Sequence, residues 1–340
     1  MRKIIVILLG LCLSLGAGVA LAGGKMTIKF GHVAPPFHGQ SKGVDAFAAY
    51  VKEKTGGAIQ IKTFPFGQLG SERSMAEQVQ AGTLEMAAIT TAVLSNYVPQ
   101  VAVMDLPFVF PNRKTAYAVI DDEAWQKKIF SYLPAKGFVG IGWTENEFRD
   151  INSKKGPIVK PEQMKGIKIR VMNSPVYMDT FKQLGCSPVG IPFPELYNAL
   201  QQGVIDAQEN PLLTSILIKA TEVAKYVTDT NHILTECIII VNPDFWNKLS
   251  AQQKKIFRQA AKVCIKTNRE VNAALHKKLF KINMSVEEYC KKHHVTVTEL
   301  TPAQRQAWAK AMKPVWAKYK KIVGPELYDS FMGFIKKHSK

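Results

Sequence analysis

From Met26 onward the chain switches repeatedly between two apolar periods, and this alternation restricts its fold more than any other feature of the sequence. Met26–Gly31 (MTIKFG) is apolar at every second residue, and 39–55 follows helical spacing after a Pro-rich turn. Ala58–Phe64 (AIQIKTF) returns to the strand pattern, 71–81 to the helical one, and 84–89 is a short apolar strand. Such strand–helix–strand succession predicts an α/β fold, with helices flanking a mostly parallel sheet. A second unit begins near the strand 138–144 (FVGIGWT) and repeats the style. It has a strand at 165–172 (KGIKIRVM), then a helix over 174–184 capped by Ser174 with Pro175 at its first position. A helix over 193–202 ends at Gly203, and Val204-Ile205-Asp206-Ala207 follows. The nearly all-apolar run 233–241 (ILTECIIIV) is predicted to be a strand buried on both faces. From Ser250 the pattern is helical for about 40 residues, with apolar positions at Ile256, Phe257, Ala260, Ala261, Cys264, Val271 and Leu275. A last short strand at 295–298 and helices over 302–323 and 325–337 close the chain.

A length of 340 residues suggests two domains. With 46% hydrophobic and 21% charged residues, wholesale disorder and fibrous repeats are excluded. The single long apolar run is N-terminal, which excludes a polytopic membrane protein. That run reads as a secretory signal over 1–22: Arg2 and Lys3 lead, an apolar stretch follows, and Ala20-Leu21-Ala22 is an A-x-A cleavage site before Gly23. Export to the periplasm is therefore expected. The four cysteines beyond the signal, Cys186, Cys237, Cys264 and Cys290, show no C-x-x-C pair and are expected to be buried thiols. Cys264 and Cys290 are read as lying on one helical stretch, too far apart to bridge if it is continuous. The formal charge of +18 is concentrated between Lys248 and Lys340, which hold 21 Lys/Arg against 6 Asp/Glu. Only 8 of the 45 basic residues are arginine, so a solvated lysine face is expected and no nucleic-acid partner.

Signatures of catalysis are sparse. There is no H-E-x-x-H, P-loop or EF-hand loop, and the seven histidines lack metal-ligand spacing, so neither cofactor nor metal is expected. Gly39-Gln40-Ser41-Lys42-Gly43 matches the G-x-S-x-G elbow of serine hydrolases, and Asp206 or Asp229 with His232 would complete the order. The match follows the first strand, with little chain upstream for an oxyanion hole; the alternative is a hydroxyl near a helix start between two permissive glycines. Arg149 and Arg170 are more informative. Arg170 lies near the carboxyl end of its strand, where open α/β sheets bind ligands, and a planar fork suits a carboxylate. A structural pairing with a nearby Asp or Glu is the competing reading, and spacing does not choose between them.

The block Lys165–Pro211 resembles the substrate-binding proteins of TRAP (tripartite ATP-independent periplasmic) transporters, DctP type. The resemblance is carried by Lys165-Gly166-Ile167-Lys168-Ile169-Arg170, Asn173, Phe193-Pro194-Glu195-Leu196-Tyr197-Asn198-Ala199-Leu200-Gln201 and Asp206-Ala207-Gln208-Glu209-Asn210-Pro211. Gly67-Gln68-Leu69-Gly70-Ser71-Glu72-Arg73, Gln80-Ala81-Gly82 and Thr230-Asn231-His232-Ile233 extend it over the chain beyond the signal. It implies a two-lobed periplasmic binding protein fold with a central cleft, crossing strands and a long helix spanning the lobes. Lobe I would be 23–146 plus 236–272, and lobe II 147–235 plus 273–340. It also implies an organic acid ligand, by default a C4-dicarboxylate, handed to TRAP membrane permease subunits without chemistry. Arg170 matches the carboxylate-binding arginine, Asn210 its polar partner, Arg149 a second arginine, Asn173 a further donor, Phe193 an aromatic wall and Glu72 an acidic position near the cleft. Thr90 and Val33 depart from the sialic-acid binders, which carry Glu and Asn there; this argues against sialic acid and leaves a smaller or differently hydroxylated acid open. A binding protein serving an ABC importer or a sensor, or a hydrolase using Ser41, are the other readings.

Overall fold

A computed structural model describes residues 25–279 and 282–339; the expected signal over 1–22 lies outside the described residues. In chain order the strands are β1 Met26–Gly31, β2 Ile59–Phe64, β3 Met86–Thr90, β4 Val139–Phe148, β5 Asp150–Ser153, β6 Lys168–Val171, β7 Ser187–Gly190, β8 Ala207–Asn210, β9 Tyr226–Asp229, β10 Leu234–Val241 and β11 Thr296–Glu299. They form two sheets, ordered β2-β1-β3-β10-β4 and β11-β9-β5-β8-β6-β7.

The expected parallel pairing holds for β2-β1-β3, with Met26 opposite Ile59 and Phe30 opposite Met86. It fails beyond β3, because β10 runs antiparallel to both β3 and β4. The chain reaches β10 from the second sheet and so runs against the strands it joins. Its side chains alternate between two cores, Ile238 and Ile240 into one, Ile239 and Val241 into the other. That is why the run is apolar throughout without being parallel.

Two strand crossings connect the sheets. β4 ends at Phe148 and β5 begins at Asp150, leaving only Arg149 between them. β9 gives way to β10 over residues 230–233. The crossings bond to each other: Arg149 N donates to Ile233 O at 2.9 Å, and His232 N donates to Arg149 O at 3.1 Å. A helix, Ala251–Lys277, forms a third connection, started by a capping box between Ser250 and Gln253. Ile256, Phe257, Ala260 and Cys264 enter the core of the first sheet, whereas Leu275 joins Leu213 and Val227 beside the second.

This helix ends well short of 40 residues, and Cys290 lies on a separate helix, Val286–Lys292. Cys264 and Cys290 therefore do not share a helix; all four described cysteines are buried free thiols. The span read as one helix over 302–323 is two, Pro302–Ala311 and Lys313–Val323, because Pro314 cannot continue the hydrogen-bond ladder. Ser174 makes no capping bond; its Oγ instead faces Ser95 Oγ at 3.4 Å. The final helix, Pro325–His338, packs Phe331 against Phe110 and Trp125.

The G-x-S-x-G glycines have a packing role. Helix Gly39–Lys54 lies against Ala251–Lys277 so closely that a Cβ on Gly39 would overlap Asn268 O, and one on Gly43 would stand 2.5 Å from Cys264 O. Ser41 is buried within the first turns of that helix rather than raised on an elbow. His232 does not face it: its ring meets Thr230 Oγ1 at 2.8 Å and Glu209 Oε2 at 3.3 Å.

Candidate functional site

The alternation of β6 sends Ile169 and Val171 into the core and Arg170 to the opposite face, where it is 2% exposed. Arg170 Nε donates to Ile191 O at 2.8 Å, which fixes the plane of the guanidinium. Its two terminal nitrogens have no hydrogen-bond or ion-pair partner among the described residues. Burial lowers its pKa to about 10, with Glu209 and Glu72 opposing the shift and Arg149 adding to it. Arg170 is thus a cation at neutral pH with an open fork.

Arg149 is placed differently. It sits at the β4–β5 crossing, and its guanidinium embraces Glu209 on β8: Nε donates to Oε2, and Nη2 donates to Oε1 at 2.8 Å and to the backbone carbonyl. Nη1 donates to Thr235 Oγ1 at 3.2 Å, and the guanidinium lies 5.6 Å from the centre of the Tyr177 ring. Burial opposes ionisation of Glu209, but Arg149 and the His232 bond outweigh it and hold this carboxyl below its usual range. Of the two arginines that spacing left equivalent, one has an acid partner and the other has none.

The remaining expected residues come from several other parts of the fold. Glu72, at the first position of helix Glu72–Ala81, is buried; its Oε1 accepts from Thr90 N at 2.7 Å and its Oε2 from Thr90 Oγ1 at 3.1 Å. Burial raises its pKa, and the Thr90 bonds and the two arginines counter that rise. Asn210, at the end of β8, donates from Nδ2 to Gln208 Oε1 at 2.6 Å. Phe193 opens a 3-10 turn rather than a full helix, and its ring meets that of Phe66 edge-on at 6.4 Å.

Arg170, Arg149, Glu72, Thr90, Phe193 and Asn210 share the lining of one cavity between the sheets. The enclosed space is about 30 Å³. Asn173 is not among its lining residues. It is exposed, and it borders an adjoining recess with Arg170, Glu72 and Phe193. The sequence reading missed Gln40, Asn146, Thr214 and Cys237, which also line the cavity. Gln40 is the second residue of the G-x-S-x-G match, so the motif marked the place for a different reason. Glu209 belongs to the segment that carried the resemblance, but only the fold gives it a partner 60 residues away.

A larger groove, about 870 Å³, lies between edge strand β4 and helix Ala251–Lys277, rimmed by Lys127, Lys254, Lys255 and Lys262. It gathers no buried, convergent polar set, and the small cavity is the better candidate. Among the described residues no helix is long and apolar enough to cross a membrane.

Comparison with known proteins bears on the family and the fold. The family model described as bacterial extracellular solute-binding protein, family 7 (DctP) matches residues 30–322. The C4-dicarboxylate-binding periplasmic protein DctP of Rhodobacter capsulatus is 30% identical over 327 residues, 96% of each chain. A TRAP periplasmic solute-binding protein from Desulfovibrio salexigens, with bound orotic acid, superposes with a TM-score of 0.86 at 31% identity over 92% of this chain and all of its own. The sugar acid binding protein DctPAm of Advenella mimigardefordensis, in complex with galactonate, gives 0.84 at 31% identity over 93% of this chain and 99% of its own.

Proposed function

This chain belongs to the bacterial extracellular solute-binding protein family 7, the DctP-type binding proteins of TRAP transporters, and from that membership we propose that it captures a small organic acid in the periplasm and presents it to TRAP permease subunits. The family is one of solute-binding proteins and not of enzymes. The observation that carries the proposal is the open fork of Arg170, held by Ile191 O inside a cavity that both sheets line. Two parallel charge-assisted bonds from such a fork orient a carboxylate as well as hold it. Asn210 and Phe193 flank the anchor, Glu72 with Thr90 forms the facing wall, and Asn173 borders the adjoining recess. C4-dicarboxylates are one option within this class, as the Rhodobacter relative's name indicates.

We propose that two lobes close on the ligand. We place the lobes at 23–146 with 236–272 and at 147–235 with 273–340, the last helix reaching back onto the first lobe. Their connections are the two strand crossings and the long helix, a geometry suited to hinge closure around a ligand.

Calorimetric titration of the acid that co-purifies with the exported protein, identified by mass spectrometry, tests the anchor. Arg170→Ala is expected to lose on the order of 3 kcal/mol, which would turn a micromolar ligand into one weaker than about 100 micromolar. Arg170→Lys keeps the charge and loses the fork, so an intermediate loss is expected. Undiminished affinity in a folded Arg170→Ala protein would refute the proposal.

A further inference from the structure

The polar lining of the cavity is unbalanced in a way that narrows the acid. Building on the reading that Arg170 holds a carboxylate, we infer that the ligand is a monocarboxylate whose body carries hydrogen-bond donors, hydroxyl or amino, and not a dicarboxylate.

The cations come first. Among the described residues, Arg170 and Arg149 are the only basic ones lining the cavity, and Arg149 is committed to Glu209. One open fork remains, enough for one carboxylate.

The rest of the polar wall mostly offers acceptors. The Thr90 hydroxyl accepts from Val93 N at 3.3 Å, so its hydrogen points to Glu72, whose two oxygens both act as acceptors toward Thr90. Each carboxylate oxygen keeps a further lone pair. Asn210 spends one amide hydrogen on Gln208 at 2.6 Å, and its Oδ1 is left as an acceptor. Gln40 gives Nε2 to Thr144 Oγ1 at 2.9 Å and Cys237 Sγ at 3.1 Å, which leaves its Oε1. Asn146 runs the other way: its Oδ1 accepts from Thr214 Oγ1 at 2.6 Å and its amide hydrogens are free to donate.

A second carboxylate brings charge and lone pairs but no hydrogen. Deep in this cavity it would face Glu72, Asn210 Oδ1 and Gln40 Oε1, like against like, with no cation left to pair it. Acceptors buried without a donor are costly, and a site built this way discriminates strongly against a ligand that cannot supply one. A hydroxyl or amino group on the ligand supplies it. Val33, Ala34, Pro35 and Phe193 then cover the carbon chain between the polar groups.

The test is calorimetry on the exported protein at pH 7 with two matched sets of acids: succinate, butyrate, erythronate and homoserine; then adipate, hexanoate and gluconate. The acid that binds most tightly is repeated on Arg170→Ala. In at least one set a hydroxylated or amino acid is expected to bind at least about tenfold more tightly than the dicarboxylate and the bare monocarboxylate, as one satisfied hydrogen bond to a buried polar group allows. Erythronate against homoserine, which carries a hydroxyl as well as an ammonium, shows whether a hydroxyl or an ammonium beside the carboxylate binds better. If succinate or adipate binds best and Arg170→Ala abolishes that binding, this inference is overturned and the carboxylate anchor stands. If no acid binds, or the tightest binds Arg170→Ala unchanged, the anchor itself falls and the inference with it.

Discussion

Replacing Arg149 with alanine leaves Glu209 ionisable, fully buried and stripped of its guanidinium partner. Three of the hydrogen bonds lost are those from Nε and Nη2 to Glu209; a fourth is the 3.2 Å bond from Nη1 to Thr235 Oγ1. Only His232 Nε2, at 3.3 Å, still faces the carboxylate. Breaking one side of a buried, hydrogen-bonded ion pair costs about 3–5 kcal/mol, most of it for the charge left behind. At roughly 2–4 °C per kcal/mol for a chain of this size, the melting temperature of the free protein is expected to fall on the order of 10 °C. The loss also has a definite pH dependence. In the parent protein Glu209 titrates below its usual range, so its contribution to stability is present above that range and disappears as pH falls through the lowered value. In Arg149→Ala, burial dominates and Glu209 takes up a proton at higher pH, so the gap between variant and parent narrows on acidification. Urea unfolding of both proteins at neutral pH and at about pH 4, the ordinary carboxylate range, measures it, with Arg149→Lys as the variant that keeps charge without the fork. An Arg149→Ala protein as stable as the parent yet unable to bind its acid would refute the reasoning, because Arg149 would then be a ligand contact and not the clasp of the strand crossing.

Two further outcomes are expected. Burial pushes the Asp105 carboxyl up to about 8, although Thr91 and Arg149 favour its ionised form, and its Oδ2 has no partner among the described residues. A raised carboxyl stabilises the fold below its ordinary value of 3.8 and loses that contribution as pH climbs to about 8. Asp105→Asn should therefore gain stability over the parent steadily between those limits in thermal melts, and a constant difference would contradict the assignment. In the G-x-S-x-G segment, Gly39→Ala forces a Cβ into Asn268 O and is expected to cost at least about 1–3 kcal/mol of overpacking, whereas Ser41→Ala should stay within about 1 kcal/mol. Equal effects would show that the glycine stripe does not set the helix separation.

The sequence by itself determined those features whose cause is local. Helix starts at Ser71 and Ser250 were legible because a side-chain oxygen serves a nearby N–H, β1 and β2 because their apolar period needs no knowledge of a partner, and β10 because its apolar run does not either. Arg170 near the end of its strand was legible for the same reason. Tertiary structure decided the rest. Strands β5 (DINS), β7 (SPVG) and β9 (YVTD) are too short and too polar to announce themselves, and exist because neighbouring strands supply their ladders. The direction of β10 could not be read, since a strand covered on both faces is apolar whichever way it runs. Asn268 and Asn272, polar residues buried on an amphipathic helix, accept from Glu145 N at 2.8 Å and Gly39 N at 2.9 Å, a use set by residues more than 100 positions away. The same holds at the site. Arg149 and Arg170 are alike in sequence, each a lone arginine in a lysine-rich chain. Which one is free for a ligand depends on where Glu209 lies, and only the crossing of β4 into β5 brings Glu209 to Arg149.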